Sequence, residues 1–228
     1  MKRIAIITAR GGSKRIPRKN IRDFCGKPMI CYSIEAALAA SCFDTVMVST
    51  DDEEIADIAK KAGADVPFMR SEKASDDFAT TADVLFEVFA AYEAQGQTFD
   101  YGCCIYPTAP FVTAEKLREA MQRLTESSAD TLIPVVRFSY PPQRALAIEN
   151  DRLVVLHPDN LNKRSQDLTP QYHDAGQFYC FRVANFLRNR HMMVGHVLPF
   201  EVPETEVQDI DNETDWQLAE MKYRMMRR

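Results

Sequence analysis

Short apolar segments of strand length alternate along this chain with segments of helical period. The apolar runs lie at residues 3–8, 45–50, 101–107, 130–136, 177–182 and 196–202. The helical patterns lie at 28–40, 52–63, 79–95, 113–124 and 183–188, and a last one begins near 213. Because parallel strands are joined by long crossovers and buried on both sides, this alternation predicts an α/β sandwich of three layers with a mostly parallel sheet.

Residues that favour helix ends stand at several predicted boundaries. Pro28 suits a first helical turn, Thr113 suits an N-cap, and Gly63 suits a position just past a helix end. Residues 66–70 are predicted to form a further short strand. The chain has 228 residues, which is enough for one sizeable core, so we expect a single domain over residues 1–228.

The alternation stops between residues 138 and 175. This segment contains hairpin-like short strands and Pro-rich turns, and it has no helical period. It also lacks the Gly/Ser tracts and low-complexity repeats that indicate a flexible linker. We therefore interpret residues 138–175 as a β-rich insertion into the α/β core.

The charge and hydropathy of the chain argue against two broad classes of partner. The 28 Lys and Arg residues are outnumbered by 33 Asp and Glu residues, which gives a formal net charge of -5. Attraction to nucleic acid or to an anionic membrane is therefore not expected. The sequence contains no uncharged apolar stretch of about 18 residues, so no membrane span is expected either. The apolar run after Met1 is too short for a signal peptide and is predicted to be a buried strand.

The cysteines give a prediction about the redox compartment. The chain has six of them, scattered without a CxxC motif or a paired spacing. We interpret them as reduced core thiols of a cytoplasmic protein.

Positive charge is concentrated in the loop after the first predicted strand. Residues 10–22 contain six cations and no acid, with Gly11 and Gly12 among them. Glycines let backbone N–H groups approach an anion closely, and Lys and Arg side chains neutralise it, so the loop suits a triphosphate. The patterns G-x-x-x-x-G-K-[ST] and G-x-G-x-x-G are absent, which argues against a P-loop NTPase and a standard dinucleotide-binding protein. A solvated basic loop is the alternative interpretation.

Other polar residues are predicted at the same edge of the sheet. Ligands of open parallel sheets bind beyond the carboxyl ends of the strands, where loops and helix N-termini meet. The basic loop, Asp51, the turn at 107–110 and Asp130 are all expected there.

The basic loop also resembles the signature of a known enzyme family. "ARGGSKRIPRKNI", residues 9–21, resembles the loop of the CMP-sialic acid synthetases, cytidylyltransferases that join CTP to the anomeric hydroxyl of a nine-carbon acidic sugar. The resemblance continues through "VSTDDEEIA", "RSEKASDD", "YPTAP", "DAGQFY" and "DIDNETDW", and so spans nearly the whole chain. The segments "CIYPTAP", "RSQDL…YHDAGQFY" and "VQDID…DW" most resemble the pseudaminic acid cytidylyltransferase branch.

This resemblance implies a fold and an assembly. The fold is a Rossmann-like sandwich of the nucleotide-diphospho-sugar transferase type. The insertion at 138–175 resembles the family's dimerisation element, which helps to complete the sugar site of the partner, so a homodimer is expected. That Lys163 or Arg164 acts in the partner's site is a hypothesis.

The resemblance assigns the basic loop to the triphosphate of CTP. Arg10, Lys14 and Lys19 are expected to clamp the phosphates, and Arg10 and Lys19 to stabilise the transition state. The backbone amides beneath the phosphates would be those of Gly11, Gly12 and Ser13. The remaining cations of the loop, Arg15, Arg18 and Arg22, are expected to be mostly structural.

A second segment is expected to read the nucleoside. By resemblance, Arg70 would reach the carbonyl edge of cytosine, and Ala74 and Ser75 would lie near its exocyclic amine. Asn20 is a candidate for the ribose. The alternatives are a surface ion pair of Arg70 with nearby acids, and an Asn20 side chain that bonds local backbone.

Asp209 and Asp211 are the candidates for a divalent metal, Mg²⁺ or Mn²⁺. On a strand, both carboxylates would project to one face while Ile210 pointed to the other. Mg²⁺ takes one or two carboxylates plus phosphate oxygens and waters. Asp-x-Asp alone is a weak signal, and Asp211 or Asn212 could instead cap the closing helix, but the resemblance favours the metal. Asp211 or a metal-bound water would then accept the proton of the sugar hydroxyl.

The acidic sugar needs cations for its carboxylate and polar groups for its hydroxyls and amides. The candidates are Tyr106, Thr108, Lys163, Arg164, His173, Asp174 and Gln177. The sialic acid branch usually has Gln at position 106, Arg at 112 and Arg-Pro-Asn-Gly at 173–176, where this chain has Tyr, Val and His-Asp-Ala-Gly. Because those positions face the sugar in the family, the resemblance predicts the reaction but does not by itself identify the sugar.

The predicted function is transfer of CMP from CTP to pseudaminic acid, with pyrophosphate as the second product. One alternative is a CMP-N-acetylneuraminic or CMP-legionaminic acid synthetase. Another, of a different class, is a nucleotide-binding regulatory module without catalytic activity. A nicotinamide-dependent dehydrogenase would share the sheet type but requires the absent glycine fingerprint.

Overall fold

A computed structural model describes residues 1–227 and shows an α/β sandwich built on one large sheet. The strands are β1 (Arg3–Thr8), β2 (Asp23–Phe24), β3 (Lys27–Pro28), β4 (Thr45–Ser49), β5 (Tyr101–Ile105), β6 (Thr131–Arg137), β7 (Leu146–Glu149), β8 (Arg152–Val155), β9 (Tyr172–Asp174), β10 (Phe178–Arg182) and β11 (Val197–Glu201). The helices are α1 (Met29–Ala40), α2 (Glu53–Lys61), α3 (Glu72–Ser75), α4 (Thr81–Ala94), α5 (Ala114–Glu126), α6 (Val183–Asn189) and α7 (Glu213–Met226).

The large sheet is mostly parallel. Its strand order is β11-β6-β10-β5-β1-β4, and β9 pairs with β6. Strands β1, β4, β5, β6 and β11 run in one direction, and β9 and β10 run in the other. In this register Ile6 lies between Met47 of β4 and Cys104 of β5. The predicted α/β fold is confirmed.

Helices cover both faces of the sheet because successive strand residues point to opposite sides. Ala5 and Ile7 of β1 pack into a core with α1, α2 and α5, whereas Ile4 and Ile6 pack into a second core with α4 and α6. A third cluster, built around Phe24, Tyr32, Trp216 and Tyr223, packs α7 against the segment that follows the basic loop. Each layer of the predicted sandwich is therefore present.

The predicted N-cap at Thr113 is confirmed, because its hydroxyl accepts a hydrogen bond from the backbone N–H of Lys116 at the start of α5. Pro28, predicted in the first turn of α1, instead stands directly before that helix as the last residue of β3. Gly63 has a φ of +96° just past α2, where a residue with a Cβ would be strained. No helix among residues 1–227 combines the length and the apolar character needed to cross a membrane.

Two predicted placements are wrong. Residues 66–70 do not form a strand: only Asp65 bridges to Met47, and Pro67, two residues further on, has no N–H with which to extend the pairing. Asp130 lies at the start of β6, and therefore at the opposite edge of the sheet from the basic loop. There its carboxylate accepts hydrogen bonds from Asn185 and from the backbone N–H of His196.

The insertion forms a separate hairpin. Strands β7 and β8 pair antiparallel, and the two residues between them, Asn150 and Asp151, have φ values of 51° and 61°. Positive φ at both central positions is typical of the tight turns that match strand twist. Of the described residues of the insertion, β9 alone joins the large sheet.

Candidate active site

A cavity of about 490 Å³ opens at the carboxyl edge of the sheet, beyond the ends of β1 and β5. Residues from the basic loop, from 70–84 and from 106–108 line it. The predicted site residues in its wall are Arg10, Ser13, Lys14, Lys19, Asn20, Arg70, Ala74, Tyr106 and Thr108. The structure thus brings together, at one opening, residues that the chain separates widely.

The basic loop is anchored at both of its ends. The backbone N–H of Ala9 donates to the carbonyl of Ser49, and the side chain of Asn20 donates to the carbonyl of Arg10 over 2.9 Å. Asn20 is buried, and its own carbonyl accepts from Ile30 at the start of α1. The amide of Asn20 therefore joins the two ends of the loop instead of bonding its own local backbone, and its role at the ribose stays a prediction.

The two glycines meet different surroundings. The N–H of Gly11 donates to Asp51 over 2.9 Å, and a Cβ at Gly11 would lie 2.6 Å from a carboxylate oxygen of Asp52. A Cβ at Gly12 would meet nothing within 4 Å. Close packing against Asp52 thus requires a glycine at position 11, whereas no contact within the chain requires a glycine at position 12 among the described residues. A bare backbone at Gly12 leaves room for an anion to approach.

Arg10 and Lys14 face an acid that sequence analysis did not single out. Arg10 lies 3.2 Å from the carboxylate of Asp77, and Lys14 pairs with the other oxygen of the same group. These hydrogen bonds, that of Lys14 above all, lower the pKa of Asp77. Asp77 stands within a segment that resembles the family, but nothing in the sequence indicated its partners.

Lys19 is the most enclosed cation of the loop that lines the cavity. Its side chain is 20% exposed, and its ammonium donates to the carbonyl of Ile210 over 2.6 Å and lies 3.9 Å from Asp211. Burial lowers the pKa of Lys19, and the nearby carboxylates of Asp211 and Asp209 oppose that change. Lys19 thus connects the cavity to the predicted metal residues.

The other three arginines of the loop pair with acids. Arg15 lies 2.7 Å from Asp211, on the opposite carboxylate oxygen from Lys19. Arg18 pairs with Asp52 and Glu54, which raises the pKa of Arg18. Arg22 pairs with Glu213, and its guanidinium lies 4.5 Å from the ring centroid of Trp216. Arg15 lines the cavity, whereas Arg18 and Arg22 do not.

Arg70 is buried at the base of the cavity. Its Nε donates to the hydroxyl of Ser49 over 3.0 Å, and its Nη2 donates to the carbonyl of Ser49. Burial lowers the pKa of Arg70. The alternative of a surface ion pair is therefore wrong. Ala74 lies beside it in the wall, whereas the Ser75 hydroxyl donates back to the carbonyl of Ser71 outside the lining.

Asp209 and Asp211 lie on a loop, so the predicted strand geometry is wrong for this segment. Ile210 between them is 1% exposed and belongs to the third hydrophobic cluster, which keeps the two carboxylates outside the core. Asn212 caps α7, where its side chain accepts from the N–H of Asp215 over 3.0 Å. Asp211 is consequently free of the capping role that the alternative gave it.

The donor set at these aspartates suits a shared metal. Among residues 1–227, no group of three or more His, Cys, Asp or Glu side chains could hold a metal by itself. Asp209 and Asp211 provide two carboxylates beside Lys19, and Mg²⁺ accepts such a pair when phosphate oxygens and waters complete its shell. Two carboxylates alone would leave most of the coordination shell of such an ion to phosphate oxygens and waters.

The predicted sugar residues divide into two groups. Tyr106 and Thr108 are in the cavity wall. The ring of Tyr106 lies 5.4 Å from that of buried Tyr179, whose hydroxyl donates to Asp174 over 2.7 Å. His173 is exposed on β9 and packs against Phe138. Sequence analysis missed Tyr179, which lies inside an apolar strand pattern that hides its hydroxyl.

The other predicted sugar residues lie away from this wall. Gln177 is 3% exposed, and its amide donates to the carbonyl of Glu206 over 2.5 Å. Lys163 and Arg164 are exposed on the insertion, where they bond Asn160 and Asp167 respectively. Within one chain, neither these three residues nor His173 and Asp174 line the cavity, and the sugar roles of all five stay predictions.

Comparison with known proteins gives consistent matches. A family model described as Cytidylyltransferase matches residues 4–215. A pseudaminic acid cytidylyltransferase of Campylobacter jejuni subsp. jejuni serotype O:2 is 42% identical over 226 residues, which cover 99% of this chain and 97% of that protein. A CMP-N,N'-diacetyllegionaminic acid synthase of Legionella pneumophila is 31% identical over 227 residues, 96% of this chain and 95% of that protein.

A solved structure shares the fold. It is a CMP:2-keto-3-deoxy-manno-octonic acid synthetase complexed with CTP, with a TM-score of 0.71 and 19% identity. The match covers 100% of this chain and 99% of that one. The likeness therefore extends over the whole sandwich described above.

Proposed function

The chain belongs to the cytidylyltransferase family, and from this premise we propose that it transfers CMP from CTP to the anomeric hydroxyl of pseudaminic acid and releases pyrophosphate. The observation that carries the proposal is the convergence of Arg10, Lys14 and Lys19 on one cavity with buried Arg70 at its base. The 42% identity to the Campylobacter enzyme, against 31% to the legionaminic acid synthase, supports pseudaminic acid as the sugar.

The basic loop would hold the triphosphate for in-line attack. The anomeric oxygen forms a bond to the α-phosphorus, and the bond from that phosphorus to the oxygen bridging to the β-phosphorus breaks, so pyrophosphate leaves with the electron pair. Such transfers depend on positioning and charge neutralisation. Arg10, Lys14 and Lys19 would supply both, with the amides of residues 11–13 beneath the phosphates.

Arg70 would select the base. Its Nε and Nη2 are fixed on Ser49, and Nη1, which takes no part in those bonds, would donate to the carbonyl of cytosine. Because the guanidinium is immobilised before the nucleotide binds, a base without a matching acceptor would leave a buried donor unpaired.

Asp211 is the proposed proton acceptor for the sugar hydroxyl. Arg15 and Lys19 hold its two carboxylate oxygens from opposite sides, at 2.7 and 3.9 Å. Asp209 and Asp211 would also hold the divalent ion, Mg²⁺ or Mn²⁺, which when bound would neutralise charge on the phosphates.

The assembly proposed for this chain is a homodimer built on the insertion. Large apolar side chains there are solvent-exposed, with Tyr140 80%, Ile148 78% and Leu153 70% exposed. Apolar surface of this kind is typical of interaction sites. Lys163 and Arg164, which do not line the cavity of their own chain, would then meet the sugar carboxylate in the partner's site.

A mixing experiment tests this arrangement. Subunits carrying K163A and R164A are combined with subunits carrying R10A, and each variant alone is expected to be inactive. If subunits exchange in a two-fold dimer, about a quarter of the sites become complete. Proven exchange without recovery would contradict action across the dimer.

The reaction itself is tested by pyrophosphate release with CTP, Mg²⁺ and a panel of nonulosonic acids. We expect turnover to be highest with pseudaminic acid, and a preference for legionaminic or N-acetylneuraminic acid would favour the first alternative. Tight CTP binding without turnover on any acid would favour the regulatory module. We place the reaction in the cytoplasm, since all six cysteines are free thiols, as reducing compartments keep them.

A further inference from the structure

The turn formed by residues 204–206 is fastened by side chains from three different elements. It lies directly before the segment that carries Asp209 and Asp211, and it is a single 3-10 turn with little internal bonding. Gln177 beside β10, Lys116 of α5 and Lys222 of α7 each contact the turn or the residue after it. A short turn held from three directions is fixed relative to the core.

Gln177 provides a buried contact. Gln177 is 3% exposed, and its side-chain Nε2 donates to the carbonyl of Glu206. The backbone carbonyl of Gln177 accepts from the backbone N–H of Tyr106 over 2.9 Å. Its side-chain oxygen is buried and has no partner among residues 1–227. An unpaired buried oxygen has a free-energy cost, so the hydrogen bond through Nε2 is the contact by which this side chain can stabilise the turn.

The two lysines act from the other side. Lys116 is 15% exposed, pairs with the carboxylate of Glu206 and donates to the carbonyl of Phe111 over 2.8 Å. Lys222 donates to the carbonyls of Glu204 and Val207 over 3.2 and 2.6 Å. Neither lysine lines the cavity at the basic loop. They serve the turn and not a nucleotide.

The segment that follows is held again at its far end. Lys19 donates to the carbonyl of Ile210, and the N–H of Asp211 donates to Asp215 in the first turn of α7. The segment that carries Asp209 and Asp211 is therefore held at both ends, by the 204–206 turn and by the start of α7. Movement of either point would change their separation from the phosphates.

We propose that Gln177, Lys116 and Lys222 are positioning residues, which set the distance of the Asp209–Asp211 carboxylates from the nucleotide and so determine divalent metal affinity. The inference rests on the proposed function, because it takes these two aspartates as metal ligands. It gives the side chain of Gln177 a structural role, separate from its predicted contact with the sugar. Residues that orient metal ligands typically change metal affinity by about 10- to 100-fold when they are altered.

The test measures Mn²⁺ binding to the enzyme–CTP complex by the loss of the free-ion electron paramagnetic resonance signal, without sugar or turnover. We expect Q177M and K116M each to raise the half-saturating Mn²⁺ concentration about tenfold, and K116R to restore most of the affinity. The two substitutions remove contacts from different elements, so either one tests the proposal if the other fails to fold.

A matched control comes from the insertion. Gln143 also has a buried, unpartnered side-chain oxygen, and its amide donates to the carbonyl of Thr169, so Q143M removes the same chemistry from a side chain that makes no hydrogen bond to the 204–206 turn. It should leave Mn²⁺ binding unchanged. If D211N weakens Mn²⁺ binding but folded Q177M and K116M do not, the positioning role is overturned while the metal site stands. If D211N has no effect, the metal site itself fails, and the inference fails with it.

Discussion

The guanidinium of Arg10 lies 3.2 Å from one oxygen of the Asp77 carboxylate, and the ammonium of Lys14 pairs with the other oxygen. An acid of the same chain thus stands between two of the cations proposed to clamp the triphosphate. If these cations clamp the triphosphate as proposed, the phosphates of CTP displace Asp77 from them on binding.

Replacement of Asp77 by asparagine is therefore expected to strengthen CTP binding. Because exposed ion pairs contribute little each, we expect the dissociation constant measured by calorimetry to fall about threefold, with a smaller effect at high salt. D57N, an exposed change on α2, should leave the constant as it is. Weaker binding by D77N would contradict the competition.

Arg70 provides a prediction about base selectivity. R70K keeps the charge but loses the planar fork that is fixed on Ser49. We expect kcat/KM for CTP to fall at least about tenfold and the preference for CTP over ATP to narrow, because adenine lacks the carbonyl that Arg70 is proposed to contact. Steady-state rates with both nucleotides measure this, and circular dichroism checks the fold. An unchanged preference between the two nucleotides would show that Arg70 does not contribute to base recognition.

Lys19 predicts a pH dependence. Burial lowers the pKa of its ammonium below the ordinary value of about 10.5, so the clamp loses this charge as pH rises, before an exposed lysine would. We expect kcat/KM for CTP to fall through that lowered pKa, and K19R to shift or abolish this alkaline limb. Identical alkaline limbs in both enzymes would rule out Lys19 as their source.

The lowered pKa of Lys19 also affects stability, which is expected to rise with pH where activity falls. Between the lowered pKa and about 10.5, the unfolded chain binds more protons at Lys19 than the folded chain does. The contribution of Lys19 to the free energy of unfolding therefore rises with pH across that window. Urea titrations of the wild type and K19M at several pH values would show the difference.

Tyr179 yields a prediction about Asp174, a proposed sugar residue. The buried hydroxyl of Tyr179 donates to one oxygen of Asp174 and the backbone N–H of Gly176 donates to the other, so Y179F removes one of the two hydrogen bonds that orient this carboxylate. If Asp174 meets the sugar, KM for the sugar should rise about tenfold while KM for CTP stays constant, as expected for loss of a hydrogen bond to a charged group. Y172F, whose hydroxyl contacts Glu201 at 3.4 Å on the exposed face of β9, serves as the control.

Trp216 gives a prediction about folding. It is 3% exposed and packs edge-on against Phe24, with ring centroids 5.4 Å apart. We expect W216A to lower the free energy of unfolding by about 3–5 kcal/mol, measured by circular dichroism in urea. L218A on the same helix, where the side chain is 42% exposed, should cost far less. Equal losses would mean that the third cluster does not hold α7.

Much of the fold was determined by local sequence. The alternation of apolar runs and helical periods, Thr113 as an N-cap and Gly63 at a helix end all depend on residues close together in the chain, so they could be predicted and are found. The basic loop could also be predicted, because its charge and glycines lie within one short stretch. Its placement at the carboxyl edge follows from the end of β1.

Only the tertiary structure decided which side chains meet. Asp77 reaches Arg10 across 67 residues, and Gln177 turns away from the cavity to a carbonyl at Glu206. Asp130 lies at the wrong edge for the site because it precedes its strand instead of following it. The physical reason is that a period in sequence fixes the face of an element, whereas its neighbours depend on strand order and packing.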